Sequence, residues 1–138
     1  MSYEHINPEA LGEPKGWNNG MLAPAGGRVL FVAGQDAAMP EGHVVTDDFV
    51  EQFGIALAKT LAIVFAAGGD ASSIGRMTVF VTDLDAYRAA RKEIGGVYRE
   101  HMGRHFPAMA LMEVSRLVDP RGQVEIEATA VIAASGES

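Results

Sequence analysis

Two apolar runs near the end of the chain, separated by a turn, constrain the fold more than any other stretch. The first extends from Phe106 to Val114 and the second from Val124 to Ile132, with the turn at Val118 to Gly122. In the second run apolar residues alternate with polar ones, a period that predicts a strand with one face in the core. The opposite face carries Glu125 and Glu127, so it must be exposed to solvent, in contact with a partner, or part of a functional site.

A long amphipathic helix is predicted between Thr46 and Gly69. Thr46 is a good N-cap, and the following aspartates suit the first turn of a helix. Gly68-Gly69 is a strong C-terminal signal. Apolar residues recur between these ends at spacings of three and four, which predicts one core-facing stripe. The stripe consists of Phe49, Phe53, Leu57, Leu61 and Val64.

Three further strands and a second helix complete the predicted order. The β-branched content of Ile74 to Thr82 favours a strand. A helix capped by Asp83 or Asp85 then runs to about Met102, and Gly95-Gly96 inside it predicts a kink. The other two strands are predicted at Tyr3 to Ile6 and Arg28 to Ala33, and the residues between them are predicted to be irregular.

This order predicts one α+β domain over residues 1–138, with two helices packed on one face of a mixed sheet. One layer of helices leaves the Glu125 face of the sheet uncovered. Apolar residues on that face, expected to include Val79 and Val131, predict that copies of the chain associate through it.

Composition excludes several classes of function. The chain has no cysteine, which excludes disulfides, thiolate nucleophiles and cysteine-ligated metals. Its net charge is −7 and its basic residues are scattered, so nucleic acid is not an expected partner. His101 and His105 have no third ligand in register, and no metal site is predicted. No basic, apolar leader and no apolar run near the ~20 residues of a spanning helix is evident, so a cytosolic protein without a membrane segment is expected.

Several pieces of the chain, taken together and in order, closely resemble the RidA/YjgF family, also called the endoribonuclease L-PSP family. The resemblance covers about Asn7 to Val131. The matching pieces are Val32-Ala33-Gly34-Gln35, Gln52, Ala67-Gly68, Thr78 to Leu84, Phe106-Pro107-Ala108, Glu113 to Leu117 and Val124 to Ala128. The resemblance implies a chorismate-mutase-like α+β fold, a homotrimer, and small-molecule clefts between subunits.

The resemblance also implies an activity. The best-known members hydrolyse imines and enamines to 2-keto acids and ammonia without metal or cofactor. Glu125, the first glutamate of Val-Glu-Ile-Glu, matches the family's glutamate, which positions or activates water. Trp17 falls where the family often has a tyrosine, and Gly34, Gln35 and Ala108 match residues that line the cleft.

The position of the family's substrate-binding arginine departs from the pattern. In the family this arginine follows Pro-Ala and grips the substrate carboxylate, whereas this chain has Met109 and so resembles a subgroup that lacks the arginine. A thioether cannot bind a carboxylate, which counts against the standard 2-imino-acid activity. Two interpretations stay open for Arg91: it supplies the missing cation, or it is a solvated helix residue.

Three functional classes follow. The first is a cofactor-independent hydrolase or deaminase that acts on imines or enamines, with Glu125 handling water. The second is a non-catalytic trimer that binds a small ligand in the same cleft, in which case Glu125 is a carboxylate at a wet interface. The third, an endoribonuclease or translation inhibitor, is disfavoured by the pI of about 5.0.

Overall fold

A four-stranded mixed sheet lies at the centre of the computed structural model, which describes residues 2–134. The strands are β1 (Glu4–Ile6), β2 (Gly20–Leu22), β3 (Arg28–Gln35), β4 (Ile74–Val81), β5 (Ala108–Glu113) and β6 (Val124–Ile132). The helices are α1 (Phe49–Ala66), α2 (Leu84–Ala89) and α3 (Arg91–Met102), and two short 3-10 turns span Glu9–Leu11 and Ala71–Ser73. The predicted α+β architecture is confirmed, with β2 as a strand that the sequence did not predict.

The sheet order is β3-β6-β4-β5, so the alternating strand β6 lies between two partners. β6 is antiparallel to β3 and β4, while β5 runs parallel to β4 at the edge. The predicted alternation in β6 is confirmed, because every second residue is buried beneath the helices. We call that side the helix face and the other side, which carries Glu125 and Glu127, the outer face.

Helix α1 buries the predicted stripe against the sheet. Its N-cap is Asp48, whose side chain accepts the Glu51 backbone N–H, and the prediction of Thr46 as the cap was wrong by two residues. The Thr46 hydroxyl instead accepts the Asp48 backbone N–H and donates to Glu51. The helix ends before Gly68, whose φ of 93° is the left-handed conformation expected of a C-terminal glycine.

The predicted second helix is divided into α2 and α3. Asp83 caps α2 as expected, but the break falls at Ala90, and the helix is unbroken at Gly95-Gly96, where a kink was predicted. α3 continues through both glycines because Ile94, Tyr98 and Met102 are buried along one side of it. Their packing offsets a helix-propensity cost of about 1 kcal/mol for each glycine.

The outer face of the sheet exposes large apolar side chains. Phe31 on β3 is 81% exposed and Val29 is 57% exposed, while Val131 on β6 is half-buried beside them. The prediction that Val79 lies on this face was wrong. Val79 pairs with Ile126, and directly paired residues share a face, so its side chain is 4% exposed in the core.

Within residues 2–134, α1 is also the one helix long and apolar enough to cross a membrane, with a mean hydropathy of 1.6 over 18 residues. The expectation concerned an uninterrupted apolar run, and this stretch of α1 contains Glu51 and Lys59. The core helix of a sheet protein meets the same criteria, and here the apolar stripe packs against the sheet.

Gln52 joins α1 to the loop between β5 and β6. Its side chain is fully buried and donates to the Thr46 and Arg121 carbonyls at 2.8 and 3.0 Å. Its carbonyl accepts the Gln123 backbone N–H at 2.8 Å. Every polar atom of this amide is thus used to hold the start of α1 and the entry to β6 together.

Replacing Gln52 by leucine should lower the free energy of unfolding by about 2 kcal/mol or more, because it leaves three backbone groups unpaired near the core. Urea denaturation measures the loss. Ala58→Gln on the exposed side of α1 is the control, and it should stay within about 0.5 kcal/mol of wild type. A wild-type midpoint for Gln52→Leu would contradict this role.

Candidate active site

A pocket of about 340 Å³ opens between α3 and the edge strand β5, on the helix face of the sheet. We call it the helix-side pocket. Its lining comprises Lys15, Gly16, Trp17, Phe53, Met77, Val79, Tyr87, Arg91, Ile94, Gly95, Tyr98, Arg99, Phe106, Met109 and Leu111. A wider open groove of about 750 Å³ beside Val118 contains none of the predicted site residues.

The floor of the helix-side pocket is apolar. Met109 pairs laterally with the buried Met77 of β4, and both side chains lie on the helix face. The Tyr98 ring stacks on Phe106 with ring centroids 5.4 Å apart, and its hydroxyl donates to the His105 carbonyl at 2.6 Å. Burial raises the pKa of Tyr98, so this phenol stays neutral and its proton is already committed to the backbone.

The mouth of the pocket is cationic. Arg91 and Arg99 stand four residues either side of Gly95 on α3, and Lys15 of the N-terminal loop lines the same pocket; all three are exposed. Arg99 folds back over the glycine, since a Cβ at Gly95 would lie 3.4 Å from its Nη1 atom. Among residues 2–134 no carboxylate lies within 4.0 Å of any of these three cations.

Trp17 closes one side of the pocket and is 44% exposed. Its loop is fixed by Asn18, which donates from its side chain to the Phe106 carbonyl at 2.6 Å and from its backbone to the Pro107 carbonyl at 3.4 Å. The Asn7 side chain in turn donates to the Asn18 side chain at 2.8 Å. The tryptophan is therefore held against the segment that leads into β5.

Glu125 lies on the outer face, where it pairs laterally with Phe80 of β4. The register between β3 and β6 shifts between Val32 and Gln35, so β3 bulges beside this carboxylate. Gly34 lies in the bulge, and a Cβ there would come within 2.9 Å of the Glu125 carboxyl carbon. The absence of a side chain at Gly34 thus lets the backbone cover one side of the carboxylate.

The surroundings of Glu125 favour its protonated form. Partial burial is the largest cause that raises the pKa of this carboxyl, and the negative charges of Asp36 and Glu127 raise it further. Asp36 is itself held by Lys59, whose ammonium lies 3.5 Å from the carboxylate and donates to the Asp36 and Ala38 carbonyls at 2.9 Å. Lys59 therefore fixes the loop that carries one of the charges near Glu125.

The structure divides the predicted site residues into two groups on opposite faces of the sheet. Trp17, Arg91 and Met109 line the helix-side pocket, whereas Gly34 and Glu125 meet on the outer face.

The remaining two predicted site residues, Ala108 and Gln35, belong to neither of these two groups. Ala108 pairs laterally with Arg76 and so lies on the outer face, although it directly precedes Met109. The Gln35 side chain donates back to the Ala33 carbonyl at 3.1 Å.

Three residues of the pocket region were missed by sequence reasoning. Arg99 could have been found, because Arg91, Gly95 and Arg99 follow a four-residue period beside the buried stripe of α3. Lys15 and Asn18 lie in an irregular loop whose periodicity carries no signal, so their contacts with the end of the chain could not be read from spacing.

His101 and His105 bond to the backbone and do not face a common point. The His101 ring lies 3.0 Å from the Val97 carbonyl, and the His105 ring lies 2.6 Å from the Ile74 carbonyl. Across residues 2–134 no three side chains of metal-ligating type are grouped closely enough to hold an ion.

Replacing Glu125 by glutamine should leave the protein at least as stable as wild type at pH 7. The ordinary pKa of 4.5 is raised in the folded state, so the folded protein binds this proton more readily than the unfolded chain. The stability contribution of Glu125 therefore falls as pH rises through the raised pKa, and it is recovered below the ordinary value.

Urea unfolding at pH 7 and pH 4 tests this expectation. The difference in the free energy of unfolding between Glu125→Gln and wild type should be smaller at pH 4 than at pH 7. The same difference for the exposed neighbour Glu127→Gln should be smaller than that for Glu125→Gln at pH 7. A Glu125→Gln protein that is clearly less stable than wild type at pH 7 would instead give Glu125 a structural role.

Comparison with known proteins identifies the family. The family model described as Endoribonuclease L-PSP matches residues 11–132. The chain is 37% identical to the RutC family protein PM1466 of Pasteurella multocida over 105 residues, which is 76% of this chain and 81% of that protein. It is 34% identical to the 2-iminobutanoate/2-iminopropanoate deaminase of Capra hircus over 106 residues, 75% of this chain and 73% of that enzyme.

The Rid-family protein YyfB from Yersinia pestis has a similar structure, with a TM-score of 0.82 at 27% identity over 96% of this chain and 100% of that chain. The family model covers most of this chain, and relatives of more than 30% identity span about three quarters of it. The chain is therefore a member of the endoribonuclease L-PSP family, the RidA/YjgF family that its sequence resembles.

Proposed function

We propose that this protein hydrolyses the C=N bond of a 2-imino acid or its enamine tautomer, releasing a 2-keto acid and ammonia. The observation that carries this proposal is the Glu125 carboxylate, partly buried against Gly34 at the position of the family's glutamate. The name of the goat relative, a 2-iminobutanoate/2-iminopropanoate deaminase, supports the same reaction class.

The proposed reaction needs one proton acceptor and one water. The substrate reacts as the protonated imine: Glu125 takes a proton from the water as the water oxygen adds to the imine carbon, and the C=N π pair moves onto the nitrogen. The same carboxyl then returns this proton to the amino nitrogen and takes the hydroxyl proton as the C–N bond breaks, so ammonia leaves, the carbonyl forms, and the last proton passes to the ammonia. A raised pKa suits a carboxyl group that must both accept and return a proton.

Arg91 takes the role that Met109 cannot fill. Its guanidinium is exposed at the mouth of the helix-side pocket that Met109 also lines, and no carboxylate of residues 2–134 neutralises it. A guanidinium offers a carboxylate two parallel N–H groups, which is the geometry that the family's arginine is expected to supply. In this proposal the cation has moved from the strand to the facing helix.

A second copy of the chain is needed to complete the site. Within one chain the sheet separates Glu125 from Arg91, so the two cannot act on one small substrate. Phe31 and Val29 expose an apolar patch on the Glu125 side, which favours association there. We therefore propose a homotrimer in which the outer face of one subunit meets the helix-side pocket of the next.

Imine hydrolysis is tested by generating 2-aminoacrylate in place with a serine dehydratase and following keto-acid release. Wild type should accelerate release, and Glu125→Gln should lose about 100-fold or more of the acceleration. Glu127→Gln is the matched control and should stay close to wild type. Met109→Arg, which restores the family's cation, should raise the rate with this small substrate.

Absence of turnover in both wild type and Met109→Arg would overturn the proposed reaction. Saturable binding of a keto acid without any turnover would then favour the second class, a ligand-binding protein that uses the same cleft.

Mixed oligomers test whether two copies share one site. Glu125→Gln and Arg91→Gln should each be nearly inactive alone. Unfolding and refolding them together in equal amounts should restore about a quarter of wild-type activity, since that share of sites draws both intact residues from different subunits. No recovery, with both variants of wild-type size by sedimentation, would mean that each site lies within one chain.

A further inference from the structure

The helix-side pocket is large for the smallest 2-imino acids. Its volume of about 340 Å³ lies in the range of sites that enclose molecules with a ring or a long side chain. A three-carbon acid bound there would leave in contact with water most of the lining that is still exposed, which comprises Trp17, Tyr87, Phe106, Met109 and Leu111. The free energy of burying that lining would be gained only with a larger apolar group.

The side chains that line the pocket favour a ligand with an aromatic ring over one with an alkyl chain. Trp17, Tyr87 and Phe106 present partly exposed aromatic surfaces around it, and Met109 contributes a thioether. Aromatic rings favour stacked or edge contacts with other rings, and sulfur makes favourable contacts at ring edges. Methionine at position 109 thus fits a substrate whose ring lies where a carboxylate would otherwise be expected.

The charges of the lining side chains favour a ligand with a negative group. Its charged side chains are Lys15, Arg91 and Arg99, all of them cationic, although the whole chain has a net charge of −7. All three lie at the mouth, with the apolar floor behind them. A ligand with a negative group at one end and an apolar group at the other matches this division.

We propose that the helix-side pocket binds an aromatic 2-imino acid, with the ring on the floor beside Met109 and the carboxylate at Arg91 and Arg99. This inference rests on the proposed function and extends it from the reaction to the substrate class. The step is the same balanced hydrolysis, in which the imine and one water give an aromatic 2-keto acid and ammonia.

Gly95 is the specificity-determining residue of this arrangement. It leaves the mouth open between Arg91 and Arg99, and any side chain there projects towards the guanidinium that folds over it. Gly96 is the matched control, because it is exposed, lies in the same helix turn, and has nothing within 4 Å of its Cβ position.

Binding is measured by calorimetry with the full-length protein and stable keto acids. Phenylpyruvate should bind about tenfold or more tightly than pyruvate, because its ring is removed from water. Phenylacetone, which has the ring without the carboxylate, should bind weakly. Gly95→Leu should abolish phenylpyruvate binding while Gly96→Leu retains it, and Arg99→Gln should weaken it about tenfold.

Equal affinities for phenylpyruvate and pyruvate, or equal effects of the two glycine variants, would overturn the inference. Turnover separates it from the proposed function, with the imines of phenylalanine and alanine generated by an amino-acid oxidase. Phenylpyruvate binding at the pocket without hydrolysis of either imine would overturn the reaction and leave the ligand class standing. Hydrolysis of the alanine imine without hydrolysis of the phenylalanine imine would support the proposed reaction and overturn the aromatic ligand class.

Discussion

Backbone pairing of β6 on both sides is the constraint on which the rest of the structure depends. Because the strand lies between β3 and β4, its side chains can point only to the helix face or to the outer face. The apolar half packs beneath α1, and the carboxylate half is left on the outer face. The same pairing places Glu125 and the helix-side pocket on opposite sides of one sheet. Any chemistry that uses both must therefore join two copies of the chain, so the proposed reaction depends on the proposed homotrimer.

The two sides of the sheet also differ in charge. Around Glu125 on the outer face stand the carboxylates of Asp36 and Glu127, with the Lys59 ammonium 3.5 Å from Asp36, and Arg76 lies on the same face farther along β4. On the helix face, the pocket mouth carries cations without nearby carboxylates. In the proposed homotrimer, the carboxylates around Glu125 of one copy would lie opposite the pocket cations of the next. Electrostatic complementarity of this kind favours the correct orientation of two surfaces and draws an anionic ligand towards the cations between them.

Much of the fold could be predicted because its signals are local. The alternation of β6, the stripe of α1 and the glycines after it each depend on neighbours in sequence, and all three are confirmed. The errors arose where tertiary contacts decide. The face of Val79 depends on its register with Ile126, and the continuation of α3 through Gly95 depends on the packing of its buried side. For the site, the family pattern marked Glu125 and Met109, but the contribution of Lys15 requires the path of a loop with no periodicity.

The loop that holds Trp17 has a spectroscopic consequence. The chain contains a single tryptophan, and that indole is half-exposed at the pocket, with its N–H 3.3 Å from the Asn19 side chain. Its emission therefore reports on one place in the molecule. A ligand that covers the ring would remove water from it and shift the emission to shorter wavelength, whereas a change elsewhere in the sheet would leave the spectrum unaltered. The protein thus carries an intrinsic fluorescent probe of its own pocket.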